Sequence, residues 1–258
     1  MTEYPKTVCY VADTGTLADR DLYEDLLSLV SSERKEKASK LSKETDRYNC
    51  LAAEILIRKA IEDLGLSVCG ISYGYNRFGK PYLKNVPGFF FSISHSGSHL
   101  LLAAGHSPLG CDTEEIGDAR MNVAKRFFSS TEYEAINDTD DPEEKARQFY
   151  AVWTMRESYI KALGQGLNKG LRSFELIKDN DGSYLVTDDE NPCDWHVYSY
   201  QEISGVACAV ALSGKGGRPM IEAVDIGKLI LPYHKDTVKA DTMKNLLIRQ
   251  SPVKHSDG

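Results

Sequence analysis

Asp112 and Glu114 stand at alternate positions of the run LGCDTEE, residues 109–115. In an extended strand alternate side chains share a face, so these carboxylates project together while Thr113 points away. Two carboxylates on one face make half of a metal site. Glu157, in the helical run FYAVWTMRESYIKALG, offers a further oxygen ligand, and a small set of hard oxygen ligands with room for water and phosphate suits Mg²⁺. Lys161 lies one helical turn beyond Glu157 and shares its face, which is either a plain i,i+4 surface ion pair or a cation set beside the carboxylates. Taken together, carboxylates, a divalent cation and a lysine are equipment for handling phosphate.

Other residues fit an anionic ligand. The stretch SSERKEKASKLSK carries Arg34 and Lys37 at i,i+3 spacing, which reads as a solvated helix face or as a phosphate patch. Lys80 sits in the turn Gly79-Lys80-Pro81. Ser94 and His95 stand where the strand FFFSIS opens into a loop, a frequent place for ligand contacts.

The elements that must position these residues alternate between helical and strand periods. A strand is expected over Thr7–Ala12, a helix over about 18–30, a second helix over Asp46–Leu64 and strands over Ile71–Tyr75 and Phe89–Ser94. The strand HLLLAAGH follows, then the acidic strand. NVAKRFFS and SSTEYEAI read as helices, the second with Ser129 and Glu132 at capping-box spacing. The acidic DTDDPEEKA reads as a loop and Gln148–Leu163 as a helix stopped by Gly164. Beyond Gly170 the pattern is all strand, with DNDG as a hairpin turn and MIEAVDI as a last candidate. This divides the chain into an α/β half over 1–107, a second over 108–226 that holds the acidic strand and the Glu157 helix, and a mobile tail over 227–258. A cleft between the halves is the natural ligand site.

Of the 258 residues, 41% are hydrophobic, enough to bury a sizeable core. With Lys plus Arg at 31 against Asp plus Glu at 38, the formal charge of -7 argues against a nucleic-acid binder, so an anionic ligand must meet a local basic cluster. The six cysteines are scattered, without a CxxC pair, and read as reduced core residues of a cytoplasmic protein. The N-terminal residues lack the pattern of a signal peptide, and no apolar run is long enough to span a bilayer.

The blocks GCD and WTMRESYIKALG, supported by FSISHSG, KRFFSSTEY and FGKP, resemble the signatures of the 4'-phosphopantetheinyl transferases, in the larger surfactin-activator form. The resemblance runs over roughly residues 5–212 in the same order. It implies an α/β protein of α+β type, a pseudo-twofold pair of similar halves with the active site in the cleft between them, acting as a monomer. It implies transfer of the phosphopantetheine arm of coenzyme A to a serine hydroxyl of an apo acyl or peptidyl carrier protein, with release of 3',5'-ADP. Such carriers serve fatty-acid, polyketide or nonribosomal-peptide synthesis.

By position, Asp112, Glu114 and Glu157 match the Mg²⁺ ligands, Glu157 also the favoured base, and Lys161 the lysine near the leaving group. Arg34, Lys37, Lys80, Ser94 and His95 fall where the family contacts coenzyme A, and Arg156 stands at a signature position that allows at most a phosphate contact. The segments 109–115 and 126–133 are expected near the carrier-docking surface. A Mg²⁺-dependent phosphohydrolase with the same carboxylates is the alternative chemistry, and a non-catalytic nucleotide-binding or carrier-docking module the alternative class.

Overall fold

The computed structural model describes residues 6–166, 169–201, 203, 205–214 and 216–231. In chain order these form β1 (Thr7–Asp13), α1 (Arg20–Leu29), α2 (Ser32–Ser39), α3 (Glu44–Asp63), β2 (Tyr73–Tyr75), β3 (Pro81–Leu83), β4 (Phe90–Ser96), β5 (His99–Gly105) and β6 (Leu109–Glu115). There follow α4 (Met121–Phe127), α5 (Ser130–Asn137), α6 (Pro142–Leu163), β7 (Glu175–Lys178), β8 (Tyr184–Thr187), β9 (Trp195–Tyr200), β10 (Val206–Ser213), β11 (Ile221–Ala223) and α7 (Ile226–Ile230).

One sheet has the order β11-β1-β5-β4, the other β6-β10-β9-β8-β7. Each contains the same unit. In the first half β1, α3, β4 and β5 give the sheet order β1-β5-β4; in the second β6, α6, β9 and β10 give β6-β10-β9, with every one of these pairs antiparallel. The sequence expectation of two similar α/β halves therefore holds at the level of strand order.

Burial explains why the strands read as continuous apolar runs rather than as alternating ones. Tyr10, Ala12, Leu100, Leu102 and Ala104 face α3, while Cys9, Val11, Leu101 and Ala103 face the second sheet. There they meet Cys111, Tyr198, Val206, Cys208 and Val210, and Ala209 and Ala211 on the opposite face carry α6. The result is four layers, helix, sheet, sheet and helix. Both central layers are buried on both sides.

Three expectations need correction. DTDDPEEKA is not all loop: α6 starts at Pro142, because the Asp141 side chain accepts from the Glu143 amide, proline fits the first helical position, and Glu143 and Glu144 sit at the positive end of the helix dipole. The turn at Gly79-Lys80-Pro81 closes a short hairpin of β2 with β3, a strand the sequence reading missed, in register Tyr73↔Leu83. Finally, the chain after residue 220 returns to the first half. β11 pairs in parallel with β1, and Ile226 and Ile230 of α7 enter the α3 core, so a division at 226 cuts through a packed return and the stretch to 231 is no mobile tail. Residues 232–258 of that expected tail lie outside the described residues.

The loop after α6 is pinned by a buried ion pair. Lys169 Nζ donates to Asp188 Oδ1 at 2.8 Å, Tyr159 donates to Asp188 Oδ2 at 2.7 Å, and the Lys169 and Asp188 side chains are 2% and 1% exposed. Burial alone would raise the Asp188 carboxyl, but Lys169 and the hydrogen bonds outweigh it and hold it below the ordinary aspartate value. A depressed carboxylate stabilises the fold above its unfolded value and loses that contribution as pH falls through the folded one. Replacing Asp188 by Ala leaves Lys169 with the largely exposed Glu190 alone, at 2.8 Å, and Tyr159 without its acceptor, and is expected to cost about 2 kcal/mol in urea unfolding at neutral pH, a difference that narrows in acid.

Candidate active site

The predicted acidic strand and the predicted helix meet directly. At Gly110 an added β-carbon would fall on the Ser158 carbonyl oxygen and the Ala162 amide nitrogen of α6, so helix and strand approach backbone to backbone. This brings Glu157 and Lys161, one turn apart, over Asp112 and Glu114. Lys161 Nζ donates to Asp112 Oδ1 at 2.6 Å and to Ser94 Oγ at 2.7 Å, and Ser94 donates to Asp112 Oδ1 at 2.8 Å.

The electrostatics of this knot are shared. Burial would depress the Lys161 ammonium, but the charge and hydrogen bond of Asp112 hold it above the ordinary lysine value. Burial raises Glu157, and the charges of Asp112 and Glu114 raise it further against the pull of Lys161. Glu114 is also raised, by burial first, with Ser96 and Lys161 opposing and Asp112 adding. Three carboxyls thus lie in one another's field with a single bonded ammonium.

The site lies on the seam between the halves, where the edge strands β4 and β6 run side by side. Serines at alternate positions of β4 stitch it. Ser92 Oγ accepts the Cys111 amide at 3.0 Å; Ser96 Oγ accepts the Glu115 amide at 3.0 Å and donates to Glu114 Oε2 at 3.0 Å. Ser92 and Ser96 were not singled out in the sequence, although the period-two serines of FSISHS carry the signal.

The cationic residues divide into those open to a ligand and those already committed. Lys37 is exposed on α2. His95 stands at the mouth of the site, held below the ordinary histidine value by burial and by the charges of Lys161 and Lys37, with Asp46 opposing. Arg34 does not share Lys37's outer face. It is buried on the same stripe as Ala38, stacked 4.4 Å over the Tyr73 ring and 3.8 Å from Glu54, which corrects the expected surface pair.

Lys80 is likewise committed, its ammonium donating to the Leu109 carbonyl at 2.9 Å and the Ala162 carbonyl at 3.1 Å, where burial lowers it to about 8. It clamps β6 to the end of α6. Ser94 is buried and spends its hydroxyl on Asp112 and Lys161, so it positions the knot rather than facing a ligand. Arg156 is fully buried: it donates to Glu132 Oε2 at 2.5 and 3.0 Å and to the Leu171 and Phe174 carbonyls, which removes the expected phosphate contact. Such placements depend on partners far apart in the chain.

Among the described residues, no group of three His, Cys, Asp or Glu side chains stands close enough to hold a metal ion as the chain is placed here. The donor set nonetheless fits a hard divalent cation. Asp112 Oδ2 is buried without a hydrogen-bond partner, and Glu114 and Glu157 carry raised values that a nearby positive charge would lower. A cleft of about 250 Å³ beside the knot is lined by Phe78, Gly79, Lys80, Ser92, Ile93 and Lys161. It can take part of a ligand whose phosphates reach Lys161.

Residues 108–211 match the model of the 4'-phosphopantetheinyl transferase superfamily, and residues 18–107 match that of the 4'-phosphopantetheinyl transferase N-terminal region. A 4'-phosphopantetheinyl transferase of Bacillus subtilis is 36% identical over 204 residues, covering 76% of this chain and 91% of that protein. The 4'-phosphopantetheinyl transferase Sfp of Bacillus subtilis strain 168 is 32% identical over 203 residues, covering 76% and 89%. The 4'-phosphopantetheinyl transferase HetI of Nostoc sp. is 28% identical over 204 residues, covering 76% and 84%.

The close approach at residue 110 generates a test. Gly110→Ala forces α6 off β6, at an expected cost of about 2 kcal/mol or more in denaturant unfolding. It should abolish activity even at temperatures where the variant remains folded. A variant as stable and as active as the parent would contradict the backbone contact.

Proposed function

The chain belongs to the 4'-phosphopantetheinyl transferase superfamily, and from that premise we propose that it moves the phosphopantetheine arm of coenzyme A onto a serine hydroxyl of an apo acyl or peptidyl carrier protein, releasing 3',5'-ADP, with Mg²⁺ bound by Asp112, Glu114 and Glu157. The observation that carries the reading is the knot of Asp112, Ser94 and Lys161 beside Glu114 and Glu157 at the seam of the two halves.

Attack of a hydroxyl on a pyrophosphate phosphorus requires a proton acceptor and charge neutralisation at the leaving phosphate, and little other covalent work by the protein. Glu157, half-buried and raised toward neutrality, takes the serine proton. Lys161, kept as an ammonium by Asp112, faces the charge that develops on the departing 3',5'-ADP. Ser94 fixes both partners of that pair, so the lysine keeps its place before substrate arrives. Lys37 gives the donor's other phosphates a cation on a chain of net charge -7, and His95, held below the ordinary histidine value, offers them a ring N–H. A divalent cation, when bound at the carboxylates, supplies Lewis-acid neutralisation of the pyrophosphate.

The buried thiols Cys9, Cys50, Cys111 and Cys208 suit a reducing cytoplasm, and no helix among the described residues is long and apolar enough to cross a membrane. With both halves of the site in one chain, a monomer suffices.

The decisive experiment is the intact mass of an apo carrier protein after incubation with this protein, coenzyme A and Mg²⁺. A gain of one phosphopantetheine is expected, abolished by EDTA and by Asp112→Ala. Cleavage of coenzyme A with no gain on any carrier would favour a phosphohydrolase instead. A pH profile tests the base. Glu157 must be a carboxylate to accept the serine proton, so kcat/KM should fall with decreasing pH along a limb that moves to lower pH as Mg²⁺, whose charge opposes protonation, is raised. Glu157→Gln should remove that limb along with most of the rate, and an unchanged limb would assign the proton elsewhere.

A further inference from the structure

Of the eight residues of helix α2 only Arg34 and Ala38 are buried, and the rest are exposed. So short a helix has no stability of its own in water, and one buried alanine gives it little apolar hold on α3. Yet α2 presents Lys37, whose charge reaches His95 at the mouth of the site. Something other than hydrophobic burial must fix where that lysine stands.

Glu54, on α3, supplies the hold. Its side chain is 0% exposed, and both carboxylate oxygens are used. Oε1 accepts the Ser31 amide at 2.8 Å and Arg58 at 2.7 Å, and Oε2 accepts the Ser31 hydroxyl at 2.6 Å and the Tyr73 hydroxyl at 3.4 Å. Ser31 is the N-cap of α2, and its Oγ also accepts the Arg34 amide at 3.3 Å. One carboxylate therefore grips the backbone and the side chain of the residue from which the helix starts. Arg34 adds a second fixed point, 3.8 Å from Glu54 Oε2 and stacked over Tyr73, so the rotation of α2 is set as well as its origin. Lys37 follows Arg34 after about 4.5 Å of helix rise, and any slide or turn of α2 carries it along.

We propose that Glu54 is a positioning residue for the donor substrate: it holds α2 so that Lys37 stands ready beside His95, and through Lys37 it sets the affinity for the phosphates of coenzyme A. The inference rests on the transferase reading and adds to it a residue that touches neither substrate. A merely structural role would lower stability and leave substrate affinity alone.

Calorimetry of coenzyme A on the full chain, with Mg²⁺ and no carrier, is the test. Glu54→Gln is expected to weaken binding about fivefold, with kcat at saturating coenzyme A and KM for the carrier unchanged. Lys37→Ala should weaken binding at least as much, and adding Glu54→Gln to it should cost nothing further, because the carboxylate acts through the lysine. Ser31→Ala, which removes the hydroxyl bonds and leaves Glu54 paired with Arg58, should shift affinity the same way and replaces Glu54→Gln if that variant does not fold. Asp63→Asn is the control. It disturbs a bond that Asp63 accepts from Tyr10 at 2.5 Å at the far end of α3, and should lower the thermal midpoint while leaving coenzyme A affinity as it was. Unchanged affinity in Glu54→Gln, or in Ser31→Ala standing for it, overturns the inference, as does an equal loss in the Lys37→Ala background or in Asp63→Asn. A parent protein that binds coenzyme A yet modifies no carrier overturns the transferase reading instead, and the same affinities still decide the role of Glu54. A parent that binds no coenzyme A overturns both.

Discussion

Strand β6 and helix α6 touch through their backbones, and the knot of Lys161, Asp112 and Ser94 depends on that contact. A side chain at position 110 would hold the helix off by roughly the width of a methyl group, and the 2.6 Å bond between Lys161 and Asp112 has no slack for such a shift. The glycine therefore does its work by absence. It is not in a left-handed conformation and serves no turn; it gives the helix room. The Lys80 ammonium secures the arrangement from the other side, donating to one carbonyl of β6 and one of α6. Burial lowers that ammonium to about 8, so the unfolded chain holds this proton more tightly than the fold does, and stability rises as pH climbs from that value toward the unfolded lysine value.

Two sheets whose edges meet need something other than a continuous ladder to join them. Along β4 and β6 the join is made by hydroxyls. Serine can accept an amide and donate to a carboxylate at once, which satisfies two buried groups with one small side chain. Ser96 does this for the Glu115 amide and Glu114, and Ser94 accepts from Lys161 while donating to Asp112. The seam is thus polar along its length and positions the acidic residues without burying them under apolar groups. Replacing Ser92 by alanine would leave the buried Cys111 amide without this partner, a penalty of about 1–3 kcal/mol.

Much of this was legible in the residues. Alternation placed Asp112 and Glu114 on one face, the i,i+4 spacing placed Lys161 beside Glu157, and runs of apolar residues located the long central elements. What periodicity does not encode is where a long cationic side chain finds its partner. Arg34, Lys80 and Arg156 all read as candidates for phosphate, yet each ends on protein groups distant in sequence: Tyr73 and Glu54, Leu109 and Ala162, Glu132 and Leu171. The return of β11 to β1 escaped for a related reason. A strand of three residues has no pattern of its own, and its neighbour is chosen by the β1 edge left open in the first sheet.

The same charges that suit the site to phosphate make it a liability to the fold. Glu114 and Glu157 are raised above the unfolded value of 4.5, so the native state binds protons more tightly than the unfolded chain does between the two values. Stability consequently falls as pH rises through that window, the reverse of the effect at Asp188. Lys161 offsets part of the repulsion, and Ser94 and Ser96 part of the desolvation, but one ammonium cannot balance three carboxyls. The remainder is carried by interactions away from the chemistry: Lys169 with Asp188, Arg156 with Glu132, and the Glu54 carboxylate held by Arg58 at 2.7 Å and Ser31 at 2.6 Å. These pairs lie outside the cleft's lining and tie helices and loops of both halves, while the negative charge that Lys161 leaves unbalanced stays with the three carboxyls, where a bound cation would relieve it.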